Sequence, residues 1–440
     1  MSNFFEVINN IIWGPATVVL ILSCGVYFTL KTNLFQVRHF KDSITKTIFS
    51  KGENKESSFK AVSAALAGTT GTGNIAGVAT SIALGGPGAV FWMIVSAFFG
   101  MMTKYTEVLL AVKFRVKNCK GEFSGGPMYY MEKGLGIRGL GIFFAILLAL
   151  SAFGIGNMVQ SNSVSAALTD SFGIKSSVSG MFLTAICFFV IIGGAKSILS
   201  ATEIIVPVMA LFYMLGTVIF LIINFKYIPS AVENILGDAF SEPCFFGGIS
   251  GFGVSKAVKF GIARGVFTNE AGLGSSPVAH ASADVKSPAE QGLWGIFEVF
   301  FDTIVMCSLT ALVILTANKG NQNFANLSGM ELTNASFETV FGPAGSMFVS
   351  ISMIFFAVAT ILGWGLYGEK AVLYIFNQSK TALFIYKIIY TCAIYIGSVM
   401  SLEIVWQISD SLNGLMAIPN IVTLFFLGKY VNEETKNLYK

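Results

Sequence analysis

Apolar residues in this chain follow neither the alternation of a half-buried strand nor the narrow stripe of a surface helix. They come in runs of roughly 20, parted by short polar or Gly/Pro breaks, and a helix of that length crosses a hydrocarbon core of about 30 Å. Eleven such spans are read, at 11–31, 60–84, 88–112, 139–169, 178–195, 203–224, 255–281, 289–317, 344–368, 382–400 and 403–428. The pattern predicts an all-α, polytopic membrane protein of about eleven transmembrane helices. The loops at 225–254 and 318–343 are long enough to carry local structure on the presumed outer side.

Two spans are interrupted. In the second, "AGTTGTGN" (67–74) compresses glycines and threonines into mid-span, where each Gly costs a helix about 1 kcal/mol relative to Ala. In the seventh, Thr268, Asn269, Glu270, Gly272, Gly274, Ser275, Ser276 and Pro277 break an otherwise apolar run. Backbone freed within a bilayer persists only where it is buried in protein or faces a polar cavity. From each break the chain continues through four further spans, so 60–224 and 255–428 read as two repeats, each opening on a discontinuous helix. Five is odd, so the second repeat enters from the opposite face and the two are inverted. Residues 1–59 then form an extra first helix with a basic loop, 225–254 an extracellular loop and 429–440 a cytoplasmic tail.

Charge orients the chain. Segments 31–60 and 113–138 carry seven and six Lys/Arg, with further lysines in the tail, whereas Lys175, Lys226 and Lys319 fall on the other side. Basic residues stay cytoplasmic during insertion, which puts the N-terminus outside and the C-terminus inside the cell membrane. The first 32 residues lack a basic n-region and a small-residue cleavage site, so the first span is expected to remain. The chain is 54% hydrophobic and 12% charged, against about 25% charged in soluble domains. Its net charge of +4 forms no long basic cluster that would bind nucleic acid. Six scattered cysteines form no C-x-x-C pair and read as small core residues. With no metal cluster or nucleophilic motif, an enzyme is not expected and no cofactor is called for.

Half-helix N-termini hold carboxylates; half-helix C-termini and unwound carbonyls hold a dehydrated cation or an ammonium. Two facing breaks therefore suit an amino-acid zwitterion with an accompanying sodium ion. Close helix packing by small residues is the bland alternative for 67–74, and a potassium-type filter a weaker one. Gln160 in "GIGNMVQSNSVSA", beside Asn157, Ser161 and Ser165, is the expected substrate contact of the fourth span. Trp364, between Gly363 and Gly365, is a candidate pocket wall. Ala357 and Thr360 are candidate sodium ligands, joined by Ala67, Thr70 and Asn74 at the first break and Thr268 at the second. Arg264, Glu270, Glu298 and Asp302 are intramembrane charges, with pairing of Arg264 to one of these carboxylates the simplest expectation.

The segments "GTTGTGNIAGVATSIALGGPGAVFWM" (68–93) and "RGVFTNEAGLGSSPVAHA" (264–281) resemble the alanine or glycine:cation symporters, also called sodium:alanine symporters. Ile94 stands where a second Trp is expected. The resemblance implies sodium-coupled import of a small neutral amino acid on the inverted-repeat fold of bacterial leucine transporters. It implies that Thr70, Gly71, Gly73 and Asn74 line the substrate site with Asn269, Gly272 and Gly274, Gln160 and Trp364 standing alongside. Where some relatives carry an Asp near position 269, the neutral Asn269 is expected to hold the amino group more weakly. A proton-coupled carrier of another small solute is the alternative. The lipid bilayer is the expected surrounding; oligomeric state is left open.

Overall fold

The computed structural model describes Asn9 and residues 12–45, 55–117, 121–240, 256–318 and 326–438. Cys119, Cys244, Lys46, Lys51, Lys120, Lys319 and Lys440 lie outside the described residues. Within them the structure is helical apart from turns and one hairpin, Val116–Lys117 paired antiparallel with Phe123–Ser124. Seven helices are long and apolar enough to cross a membrane in one piece: Gly88–Lys113, Arg138–Phe172, Ala195–Ile223, Pro288–Asn318, Pro343–Ile375, Lys380–Val399 and Ser409–Asn437. Ala16–Lys31 and Ser176–Ile192 are shorter apolar helices at the expected first and fifth spans. The expected second and seventh spans are each split, into Lys55–Thr69 and Ala76–Gly85, and into Lys256–Asn269 and Pro277–His280.

Burial is distributed as hydrocarbon solvent requires. Phe189 is 76% and Phe426 71% exposed, whereas Lys104, Glu107, Glu298 and Asp302 are fully buried. Water would reverse that preference. In lipid, large apolar side chains face outward at no cost, and polar groups must find partners inside.

Helices at matching positions of the two groups pack on one another. Gly88–Lys113 lies along Pro288–Val299, Val159–Phe172 along Pro343–Ile375, and Ser176–Ile192 along Lys380–Val399. Both expected outer loops carry a helix, Ile228–Ala239 and Gly329–Phe341. The first is tied down by Asp238, which accepts a 2.8 Å hydrogen bond from the Gly88 N–H. Apolar patterning had no means of finding the hairpin and the Pro127–Lys133 helix inside 113–138, since neither is long enough to leave a period.

Candidate functional site

The first break is neutral and held by side chains. After Thr69 the chain extends at Gly71 (φ −136°, ψ −151°), makes a single 3₁₀ turn over Thr72–Asn74 and resumes as helix at Ala76. The donors freed by this interruption find acceptors: Asn74 Oδ1 takes the Gly71 N–H at 2.9 Å, and Gln160 Oε1 takes the Thr72 N–H at 3.3 Å. Gln160 follows a π-helical segment in its span, Gly154–Met158. A Cβ on Gly71 would stand 2.6 Å from Thr360 Oγ1, so bare backbone is required there. Gly68 does the packing job instead. A Cβ on it would collide with the Tyr367 hydroxyl, and one on Gly363 would meet Gly68 N at 2.6 Å. The close-packing and broken-helix readings of "AGTTGTGN" are therefore both right, three residues apart.

The second break is charged. Beyond Asn269 the backbone turns left-handed at Glu270 (φ +54°), Gly272 (φ +94°) and Gly274 (φ +78°) before Pro277–His280. A left-handed non-glycine is uncommon, and Glu270 is over-determined by its partners. Trp364 Nε1 donates to its Oε1 at 2.9 Å, and the Ser275 hydroxyl donates to Oε2. Asn269 caps the helix end, accepting from the Ala271 N–H at 3.0 Å and donating to Thr303 Oγ1 at 3.1 Å. Asn420 Nδ2 donates to the Gly272 carbonyl at 2.9 Å and to Glu107 Oε1 at 2.5 Å.

Between the breaks lies a small void of about 10 Å³, room for about one water molecule. Gly68, Thr69, Gly71 and Gly73 bound it from the first break, Phe267, Thr268 and Glu270 from the second, and Ile155, Gln160 and Thr360 close the sides. Beside it, Asp302 joins the two breaks. Its Oδ1 accepts from Asn74 Nδ2 at 2.8 Å, and its Oδ2 accepts from the hydroxyls of Thr268 at 3.1 Å and Thr303 at 2.9 Å. Asp302 belongs to a second π-helical segment, Phe300–Cys307, inside its span. The hydroxyls of Thr70 and Thr72 are buried without a hydrogen-bond partner, an arrangement that leaves oxygen lone pairs open to an ion.

Of the expected site residues, Gly71, Gly73, Gln160, Thr268 and Thr360 stand on the cavity wall. Asn74 and Asn269 hold the turns in shape from behind, while Gly272 and Gly274 supply positive φ beside Ile421 and Pro127. Trp364 meets the site through Glu270 and also donates to the Gly68 carbonyl at 3.3 Å. Ala67, Thr70 and Ala357 are buried beside these elements. Missed by sequence reasoning as site residues were Gly68, Thr69, Ile155, Phe267 and the carboxylates Glu270 and Asp302. The two carboxylates carried a signal, being costly intramembrane charges. Arg264 does not pair with any of the three carboxylates expected for it. Its guanidinium is 3.6 Å from Asp410 and packs over Phe267 and Trp406, because the Lys256–Asn269 helix turns it away from the cavity. Lys104 takes the partner role instead, 3.5 Å from Glu298.

A family model described as the sodium:alanine symporter family matches residues 1–440. The sodium/alanine symporter AgcS of Methanococcus maripaludis is 45% identical over 98% of this chain and 95% of its own. A probable sodium/glutamine symporter, GlnT of Bacillus subtilis, is 38% identical over 98% and 89%. Among solved structures, a substrate-bound, outward-open Na⁺-coupled sialic acid symporter superposes with a TM-score of 0.59 at 14% identity, covering 95% of this chain and 87% of that one. The Eremococcus coleocola manganese transporter superposes with a TM-score of 0.53 at 13% identity, covering 85% and 78%. Both structures share this fold.

Proposed function

The chain belongs to the sodium:alanine symporter family, and from that premise we propose that it imports alanine or glycine with sodium by alternating access. The observation that carries the reading is the meeting of two helix breaks at one small void, walled by bare glycine backbone, hydroxyls and the Glu270 carboxylate. The absence of side chains at Gly71 and Gly73 lets the substrate carboxylate approach the N-terminus of the Ala76–Gly85 half-helix, while Asn74 Oδ1 keeps the Gly71 N–H. The Glu270 carboxylate on the opposite wall faces the ammonium. Phe267 and Ile155 give the void its apolar side, suited to a small alkyl group.

Sodium binds at the first break. Thr70 and Thr360 offer hydroxyls, and Ala67 and Ala357 the backbone oxygens of adjoining helix turns; hard oxygen ligands of this kind suit the ion. Asn74 and Thr268, drawn together by Asp302, place a second set of oxygens and a negative charge between the breaks. An ion there stabilises the closed arrangement that also holds substrate, and ligands favouring one state are coupled. The matched packing of the two five-helix groups supports an inverted repeat over 60–224 and 255–428, whose relative rocking opens either face. The basic 31–60 and 113–138 segments orient the chain with its N-terminus outside.

The test is uptake of isotopic alanine into proteoliposomes, with sodium and proton gradients imposed separately. An inward sodium gradient should drive accumulation. Asn74→Ala should lower sodium stimulation and alanine affinity together, by about tenfold each, since it removes the Gly71 partner and the Asp302 contact at once. Wild-type protein that accumulates no alanine under either gradient would refute the reading.

A further inference from the structure

Behind the second break sits a buried set of ionisable groups that the proposed transport site does not employ. Glu298 Oε2 is 2.7 Å from His280 Nε2, and its Oε1 is 3.5 Å from Lys104 Nζ. Lys104 also donates to Ser276 Oγ at 2.6 Å, and the Gln291 amide nitrogen is 3.1 Å from His280 Nδ1. His280, Lys104, Glu298 and Gln291 are all fully buried.

We propose that His280 is a proton-binding site, alternating between imidazole and imidazolium, which sets how firmly the far half of the second broken helix is held. The first reason is hydrogen-bond symmetry. With the Gln291 nitrogen toward Nδ1, the ring accepts there and donates from Nε2 to Glu298, which is the neutral tautomer. Rotating the amide by about 180° presents Oε1 instead, which accepts from Nδ1–H and satisfies the imidazolium. Gln291 Oε1 has no partner in the present orientation, so the rotation breaks no other bond of that oxygen. Each protonation state leaves one amide atom unpartnered, and hydrogen bonding alone selects neither.

The second reason is the charge around the ring. Glu298 faces it from the Pro288–Val299 helix, and Lys104 and Glu107 lie on Gly88–Lys113. Glu270 stands in the break itself, and the Tyr367 hydroxyl comes from Pro343–Ile375, bonded to the Ala64 and Ala65 carbonyls. Glu56 and Lys60 of the Lys55–Thr69 helix pair with each other at its exposed end. Three buried carboxylates thus share one buried ammonium, and the Arg115 guanidinium holds the Ala281 and Ala283 carbonyls just past the half-helix; a proton on His280 places a further positive charge against Glu298. Placing ionised groups inside a bilayer protein is costly unless they are compensated.

The consequence is mechanical. Ser276 and His280 bracket the Pro277–His280 half-helix, and both reach the Gly88–Lys113 and Pro288–Val299 helices through Lys104 and Glu298. The bond to the Glu298 carboxylate is already charge-assisted, and an imidazolium adds a direct Coulombic attraction to it. The proton therefore clamps the half-helix, and transport that needs it to move slows in acid. This consequence rests on the transport reading; the proton site itself does not.

Two measurements decide. In proteoliposomes, sodium-driven alanine uptake by wild-type protein should fall about fivefold between pH 8.5 and 5.5, and His280→Gln should flatten the profile to within about twofold. The chain contains two histidines, so His39→Asn leaves His280 as the sole imidazole for NMR titration in nanodiscs, without altering His280 itself. Its resonances should respond to pH, and sodium with alanine should change that response, as linkage requires. A His280→Gln profile parallel to wild type overturns the proposal, as does an imidazole that keeps one protonation state throughout. Wild-type protein that takes up no alanine speaks against the transport reading, whereas the NMR titration judges the proton site independently.

Discussion

The two broken helices answer one problem with opposite chemistry. Between Thr69 and Ile75 the first break has no ionisable side chain, and its freed N–H groups are met by the amide oxygens of Asn74 and Gln160. The second places Glu270 in a left-handed conformation and is backed by Lys104, Glu298 and His280. Neutral dipoles held at fixed distances make a site whose quality depends on shape. Buried charges make one whose quality depends on electrostatic balance, because in a low dielectric an uncompensated charge dominates every other term. The first break should therefore fail when something is added to it, and the second when charge is taken away.

Asp302 belongs to both, and removing it is the most damaging test. Asp302→Ala leaves the Thr268 hydroxyl without its carboxylate acceptor, at about 1–3 kcal/mol for a buried group left unpaired, and cuts Asn74 Nδ2 back to the residue-302 carbonyl at 3.0 Å. It also removes negative charge from the proposed cation site. Sodium-driven uptake should fall by about two orders of magnitude, read as initial rate against sodium concentration. A normal sodium dependence in this variant would detach the two breaks from a common ion. Next in size is a purely steric change at the first break. Gly71→Ala drives a methyl to 2.6 Å from Thr360 Oγ1, whereas Gly77, a few residues on in Ala76–Gly85, has nothing within 4 Å of its notional Cβ. Overpacking costs about 1–3 kcal/mol, so Gly71→Ala should reduce uptake about thirtyfold. Gly77→Ala should leave uptake intact and raise the detergent melting temperature slightly, as Ala is the better helix former. Equal behaviour of the two variants would mean that shape is not what the first break protects.

How much of this was legible in the sequence follows the same division. Spans and breaks were, because a run of about 20 apolar residues and a cluster of glycines within it are local patterns. The facing of the two breaks was legible only through counting the spans between them. Partners were not. Asn74 and Asp302 are 228 residues apart, and nothing local to "VFFDTIVMC" announces that a π-helical segment turns Asp302 toward Asn74. Arg264 shows the limit most clearly. Electrostatics required a carboxylate for it, and three candidates stood nearer in sequence than Asp410, yet helix rotation, which sequence periodicity fixes poorly in an all-apolar span, selected the distant one. Gln160 was identified by its polarity at membrane depth, while its bond to Thr72, 88 residues away, had no local signal.

The subtlest test separates charge from geometry at the second break. Glu270→Gln keeps a carbonyl oxygen for Trp364 Nε1 and an amide that can donate to Ser275 Oγ, so the left-handed turn and the indole stay in place. What is lost is one negative charge on the cavity wall. If that charge faces the substrate ammonium, the alanine KM should rise about tenfold, equivalent to about 1.4 kcal/mol, with the sodium concentration for half-maximal uptake unchanged. The opposite split, a shifted sodium dependence at constant alanine KM, would assign Glu270 to the ion and make the second break a cation site as well. Either result ranks the two breaks: the amino acid reads backbone on one wall and charge on the other only if the effect is confined to KM for alanine.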